Sequence, residues 1–198
     1  MWVSVVDVTA ALEEYEALLR ERGALVAQNL RPGISLEQIG DLESEYGFRI
    51  SDEARTVWLW HNGIEGVPGV THAAVQLTAF GGGFGDLEFA LRMGRERVEI
   101  MVEGFAFSGV ESEYAGLKIL DLLVSGVDII IDVTPGRSVL TYMSDPVSRL
   151  HDFPIMPIAH RVRWWIWAIE NGAWVINPDG SWTIDHAKYP QGQYRNVF

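Results

Sequence analysis

Two hydrophobic periods divide this chain, and their order is what most restricts its fold. Between residues 9 and 60 apolar residues recur at helical spacing, whereas between 117 and 143 they alternate with a period of two. Helical segments therefore come first, a run of strands follows, and a further helical pattern at about 160–170 comes after it. That order predicts α+β segregation and excludes βαβ alternation. The expected architecture is a set of N-terminal helices packed on a small antiparallel sheet, with a closing aromatic helix and a C-terminal hairpin.

Local signals place the elements. The first helix is expected over 9–22, where Leu12, Tyr15, Leu19 and Arg22 share helical spacing and Gly23 stops it. Ser35 and Gln38 form a capping box for the second, and Ile34 and Ile39 stand where a hydrophobic staple would clamp its first turn. Its apolar stripe reads Leu36, Ile39, Leu42 and Tyr46, with Gly47 placed as the left-handed residue past its end. Ser51, Asp52 and Glu53 open a third helix with Val57, Trp58 and Trp60 inward, and Asn62-Gly63 is expected to end it.

Residues 64–84 read as loops rich in Gly and Pro around a short strand at Ala73 to Thr78. A helix over 86–103 would turn Leu87, Leu91, Val98 and Val102 inward, with Gly94 its weak point. Strands are expected at Leu117 to Val124 and Val127 to Val133, joined by a tight Ser125-Gly126 turn, and at Ser138 to Met143. Trp174 to Ile176 and Ser181 to Ile184 flank the turn Asn177-Pro178-Asp179-Gly180 and so form the terminal hairpin. The last dozen residues read as a polar tail.

Composition limits the function. A chain of 198 residues buries roughly 70% of its unfolded surface, enough for one domain whose core draws on eight Trp, eight Phe and six Tyr. The absence of Cys excludes disulfides, thiolate metal sites and cysteine nucleophiles. A net charge of −12 argues against nucleic acid as a partner, because phosphate contacts need a basic face. The charge is uneven: residues 1–136 carry 22 acids and 9 bases, residues 137–198 carry 5 acids and 6 bases. The N-terminus lacks a basic leader pattern, and Asp121, Asp128 and Asp132 interrupt the longest apolar run. A cytoplasmic protein without membrane association is expected.

The residues Pro32-Gly33-Ile34-Ser35, Ile39, Leu42-Glu43, Tyr46-Gly47, Ile50, Asp52 and Trp60-His61-Asn62-Gly63 resemble the N-terminal motif of the SUKH (SMI/KNR-like) superfamily. Leu117-Lys118-Ile119-Leu120, Val127 to Asp132 and Thr134-Pro135-Gly136 are similar to that family's central strands, and Trp164 to Ile169 occupies the place of its aromatic closing helix. The resemblance covers roughly residues 9–171. It implies a single SUKH-like domain over 1–198, with 172–198 a hairpin and tail extension outside the family pattern. Pro32, Ile39, Leu42, Gly47, Trp60, Asn62, Gly63 and Trp164 are the motif positions it assigns to structure. The family includes a yeast cell-wall assembly regulator and many immunity proteins of bacterial polymorphic-toxin systems. The resemblance therefore implies a domain that binds other proteins and does not catalyse.

Residue chemistry can be read independently of that likeness. The five histidines, His61, His72, His151, His160 and His186, include no pair at the i, i+4 spacing of a helical zinc site. Asp128 and Asp132, four apart on one strand, have Cα atoms roughly 13 Å apart, too far to share a proton or grip one metal; Asp121 on the neighbouring strand is a third carboxylate near them. Gly81 to Gly85 lacks a phosphate-binding pattern and sits beside Asp86 and Glu88, so it reads as a loop that contacts a partner at most. Ser108-Gly109 has no histidine near it in sequence and no nucleophile-elbow pattern. Arg161, Arg163, Trp164, Trp165 and Trp167 lie round one helix and read as packing residues, with Trp164 or Trp167 the alternative of an exposed anchor. No metal or cofactor is expected.

The acids remain. Asp86, Glu88, Glu96, Glu99, Glu103, Glu111 and Glu113, with Asp128 and Asp132, read either as a solvated face or as a surface that steers and docks a basic partner. The expected function is a non-catalytic protein-binding domain, an immunity protein that neutralises a cognate toxin domain, nucleases being the obvious basic class. A regulatory or scaffolding module with a non-toxin partner is the alternative, and an enzyme built on Asp121, Asp128 and Asp132 the third reading.

Overall fold

Helix α1 (Val8–Glu21) starts where the Asp7 side chain accepts a hydrogen bond from the Thr9 amide, and stops at Gly23, whose φ of +73° suits glycine. Val8, Ala11, Leu12, Tyr15, Leu18 and Leu19 bury one stripe of it, while Arg22 sits past its end and is exposed. In this computed structural model the described residues are 7–47, 49–66, 75–79, 83–96, 119–124, 128–132, 140–144 and 156–190. Within 119–144 Ile131 is the one described side chain, and it is buried.

The chain then forms strand β1 (Leu30–Pro32), helix α2 (Leu36–Tyr46), helix α3 (Asp52–Trp60) and strand β2 (His61–Ile64). Both halves of the Ser35/Gln38 capping box are present, and Gly47 takes the left-handed conformation. Ile39 is fully buried, but Leu36 is 62% exposed, so the expected stripe starts one turn later. At the first helical position, Leu36 projects before α2 reaches the core. Ser51 caps α3 through the Ala54 amide, and Val57 and Trp58 are buried. Buried Glu43 joins the two helices: its carboxylate accepts two hydrogen bonds from Arg55 Nη2, at 2.8 and 2.9 Å, and one from the Ile50 amide.

Asn62-Gly63 does not end α3, contrary to the sequence reading. The helix stops at Trp60 and the chain runs straight into β2, which pairs antiparallel with β1. Gly63 has φ +90° and passes so close to the next segment that an added Cβ would stand 2.9 Å from the Asp86 nitrogen. Glycine serves a backbone crossing there. Residues 75–78 are not strand either, and 73–74 lie outside the described residues.

A five-stranded antiparallel sheet follows, in the order β3 (Gly83–Phe84), β4 (Ile119–Val124), β5 (Asp128–Asp132), β6 (Leu140–Ser144), β7 (Met156–Pro157). Part of the glycine-rich loop is thus an edge strand. Between β3 and β4, residues 87–96 are helical (α4), with Leu87 and Leu91 buried as expected. Val98, Val102 and the Ser125-Gly126 turn lie outside the described residues.

Helix α5 (Ile158–Glu170) is apolar round most of its surface because it is enclosed: it packs on α1, the β6–β7 edge and the hairpin of β8 (Trp174–Ile176) and β9 (Trp182–Ile184). Gly172, at φ +68°, turns the chain from α5 into that hairpin. Trp164 and Trp165 are buried and Trp167 is half-buried against the core, so the exposed-anchor alternative fails for Trp164. Arg161 is buried and Arg163 pairs with Glu14 across the α1–α5 seam. The segregation of helices and antiparallel strands makes this an α+β fold.

Candidate functional site

Two polar constellations stand out among the described residues, one a partly exposed network between elements and the other an open groove. The network joins α1 to the β1–β2 sheet. Glu16 Oε2 accepts from Trp60 Nε1 and lies 3.0 Å from His61 Nε2, while Oε1 accepts from Arg20. His61 Nδ1 lies 2.7 Å from the Arg31 carbonyl oxygen. Both ring nitrogens are engaged by protein groups, so this acid–histidine pair ties α1 to β1 and β2. Sequence reasoning missed it, although Glu16 falls four residues after Leu12 and three before Leu19, on the edge of the buried stripe.

Burial pushes the Glu16 pKa up, but Arg20, His61 and Trp60 outweigh it and leave it below the ordinary value of 4.5. A depressed folded-state pKa contributes stability above the unfolded value, and that contribution disappears as pH falls through the folded one. Glu16→Gln is therefore expected to cost about 1–2 kcal/mol at neutral pH and to flatten the acid limb of a stability–pH curve below 4.5. An acid limb as steep in the variant as in the native chain would contradict this.

The open constellation is a groove of about 330 Å³ between α2 and the start of α4. From α2 come Gln38, Asp41 and Leu42; Ile34 precedes that helix, Asn62 comes from β2, and Asp86 and Glu88 border it from α4. The fold assembles it by local hydrogen bonds. Asn62 Oδ1 accepts from the Leu87 amide and Asp86 Oδ1 from the Phe89 amide, so both side chains cap α4. Arg31 reaches Asp86 Oδ2 at 3.3 Å, and the Tyr46 hydroxyl donates to Glu88 Oε1 at 3.3 Å. Partial desolvation and then the Glu88 carboxylate push the Tyr46 pKa up. Asp41 is exposed and makes no hydrogen bond or ion pair with any described residue.

Of the acids singled out from sequence, the structure brings Asp86 and Glu88 together in this groove and places Glu96 on the exposed side of α4. Glu99, Glu103, Glu111 and Glu113 lie outside the described residues. Asp128 pairs with Ser144, and Asp132 with Ile119 and Leu140, while Asp121 stands opposite Ile130, midway between them in register. The side chains of Asp121, Asp128 and Asp132 are outside the described residues. Asp41 was missed because a single exposed acid on a helix carries no signal of its own; the residues that line the groove with it arrive from β2 and α4. Among the described residues no three His, Asp or Glu side chains converge as a metal site. Nor is any described helix long and apolar enough to cross a membrane.

Of the motif positions, Leu42 and Asn62 line the groove, Pro32 ends β1 opposite His61, and Trp60 donates to Glu16. Ile39 and Trp164 are core residues, and Gly47 and Gly63 hold positive φ. No protein-family model matches the sequence, and no curated protein matches it.

Proposed function

We propose that this chain is a SUKH-type protein-binding domain acting as an immunity protein, which binds a cognate toxin domain in the cytoplasm and neutralises it without catalysis. The observation that supports this reading most is the acidic groove, where motif positions Leu42 and Asn62 meet Asp86 and Glu88 on a concave, solvent-facing surface. A net charge of −12 surrounds it with a field that favours a basic partner and accelerates encounter.

The test is co-expression of this chain with the effector domain encoded beside its gene. Restored growth and a co-purified complex are expected. Unrelieved toxicity without a complex would overturn the reading. Once a complex is in hand, its association rate is expected to fall at least tenfold between about 10 and about 150 mM salt, the signature of charge steering. A rate insensitive to salt would remove the acidic surface from the account.

A further inference from the structure

We infer that the groove between α2 and α4 is the seat of one arginine side chain presented by the partner protein, a deepening that rests on the proposed binding function. The groove offers two chemistries that suit a guanidinium on an aliphatic stem, and a third that suits the backbone beside it. Ile34 and Leu42 supply apolar walls for the methylenes. Asp41 and Glu88 supply carboxylate oxygens: among the described residues Asp41 has no hydrogen bond or ion pair, and Glu88 holds the long contact to Tyr46. Asp86 is largely spent on Arg31 and the α4 cap, and so shapes the wall more than it binds.

The amides complete the match. Gln38 Oε1 is used by the Ser35 amide and Asn62 Oδ1 by the Leu87 amide, which turns acceptors toward the backbone and leaves each –NH₂ as donor. Such donors suit the carbonyls of an extended segment carrying the arginine. Lysine fits less well: its ammonium is a strongly hydrated point charge, whereas the more weakly hydrated guanidinium presents five donors in a planar fork.

A blocked Gly-Arg-Gly tripeptide, titrated into the full-length chain and followed by amide NMR, tests this. Saturable shifts of the Asn62 and Gln38 side-chain amides are expected, with binding about tenfold weaker for the lysine peptide and none for the uncharged citrulline peptide. The double variant Asp41→Asn/Glu88→Gln, whose two sites are exposed, is expected to keep the native melting temperature and lose the shifts. Equal response to citrulline, or full response in the double variant, would overturn the inference. Two outcomes separate this inference from the function it rests on. If the native chain rescues growth from the toxin but does not bind the peptide, the arginine seat falls and the immunity reading stands. If the peptide binds at the groove but the native chain neutralises no toxin, the reverse holds.

Discussion

Replacing Gly33 with alanine is expected to lower the stability of this fold by about 3 kcal/mol, at the upper end of the range for overpacking. A Cβ at position 33 would stand 1.9 Å from the Leu59 carbonyl oxygen and 2.5 Å from its carbon. Those atoms belong to the last turn of α3 and have no rotamer to change, so the two backbones must separate. The hydrogen bond from the Ile34 amide to the Trp58 carbonyl, 3.0 Å long, is the contact that separation breaks first. For a chain of this size the melting temperature is expected to drop by roughly 6–12 °C. Gly40→Ala supplies a control of opposite sign: it lies inside α2 with open space around its Cβ position, so alanine is expected to stabilise by about 0.5–1 kcal/mol. Calorimetry and denaturant unfolding of both variants check this. A Gly33→Ala protein as stable as the native chain would show that Gly33 and the last turn of α3 do not approach as described.

The contrast between those two glycines explains what could be read from sequence. Ser35, Gln38, Gly47 and Ser51 act within four residues of themselves, so a short stretch of sequence is enough to reveal their roles. Helices α1, α2 and α3 accordingly stand close to where their caps, stops and stripes put them, and α5 overlaps the helical pattern expected at 160–170. Gly33, Asn62 and Gly63 act on residues more than 20 positions away. Asn62-Gly63 looks like a helix stop because those residue types tolerate positive φ, and Gly63 does use it, but inside a strand. The β1–β2 pair was illegible for a related reason. Strands of three and four residues are too short to show alternation, and their partners are separated by two helices. The groove was half legible. Asp86 and Glu88 announce themselves as acids after a glycine-rich stretch, whereas Asp41, Gln38 and Asn62 become its walls only once α2, β2 and α4 converge.

A comparably large loss is expected at the other seam of the molecule, where α1 meets α5. Trp165 is 1% exposed, its ring centroid lies 5.3 Å from that of Tyr15, and the Tyr15 hydroxyl donates to the Leu77 carbonyl at 2.6 Å. Truncation therefore removes the largest side chain in a layer that also pins residues 75–79 to α1. Trp165→Ala is expected to cost about 3–5 kcal/mol, the range for emptying a buried aromatic site. Trp165→Phe should cost much less than its lost volume alone suggests. The indole Nε1 is buried with no hydrogen-bond partner among the described residues. A buried donor without an acceptor costs about 1–3 kcal/mol, which phenylalanine does not incur. Two opposing terms thus set the phenylalanine variant, and one sets the alanine variant. Denaturant midpoints at constant m-value measure both. If alanine and phenylalanine cost the same, either the void closes or the donor is satisfied, and a hydrogen-exchange measurement on the Trp165 indole proton tells the two apart.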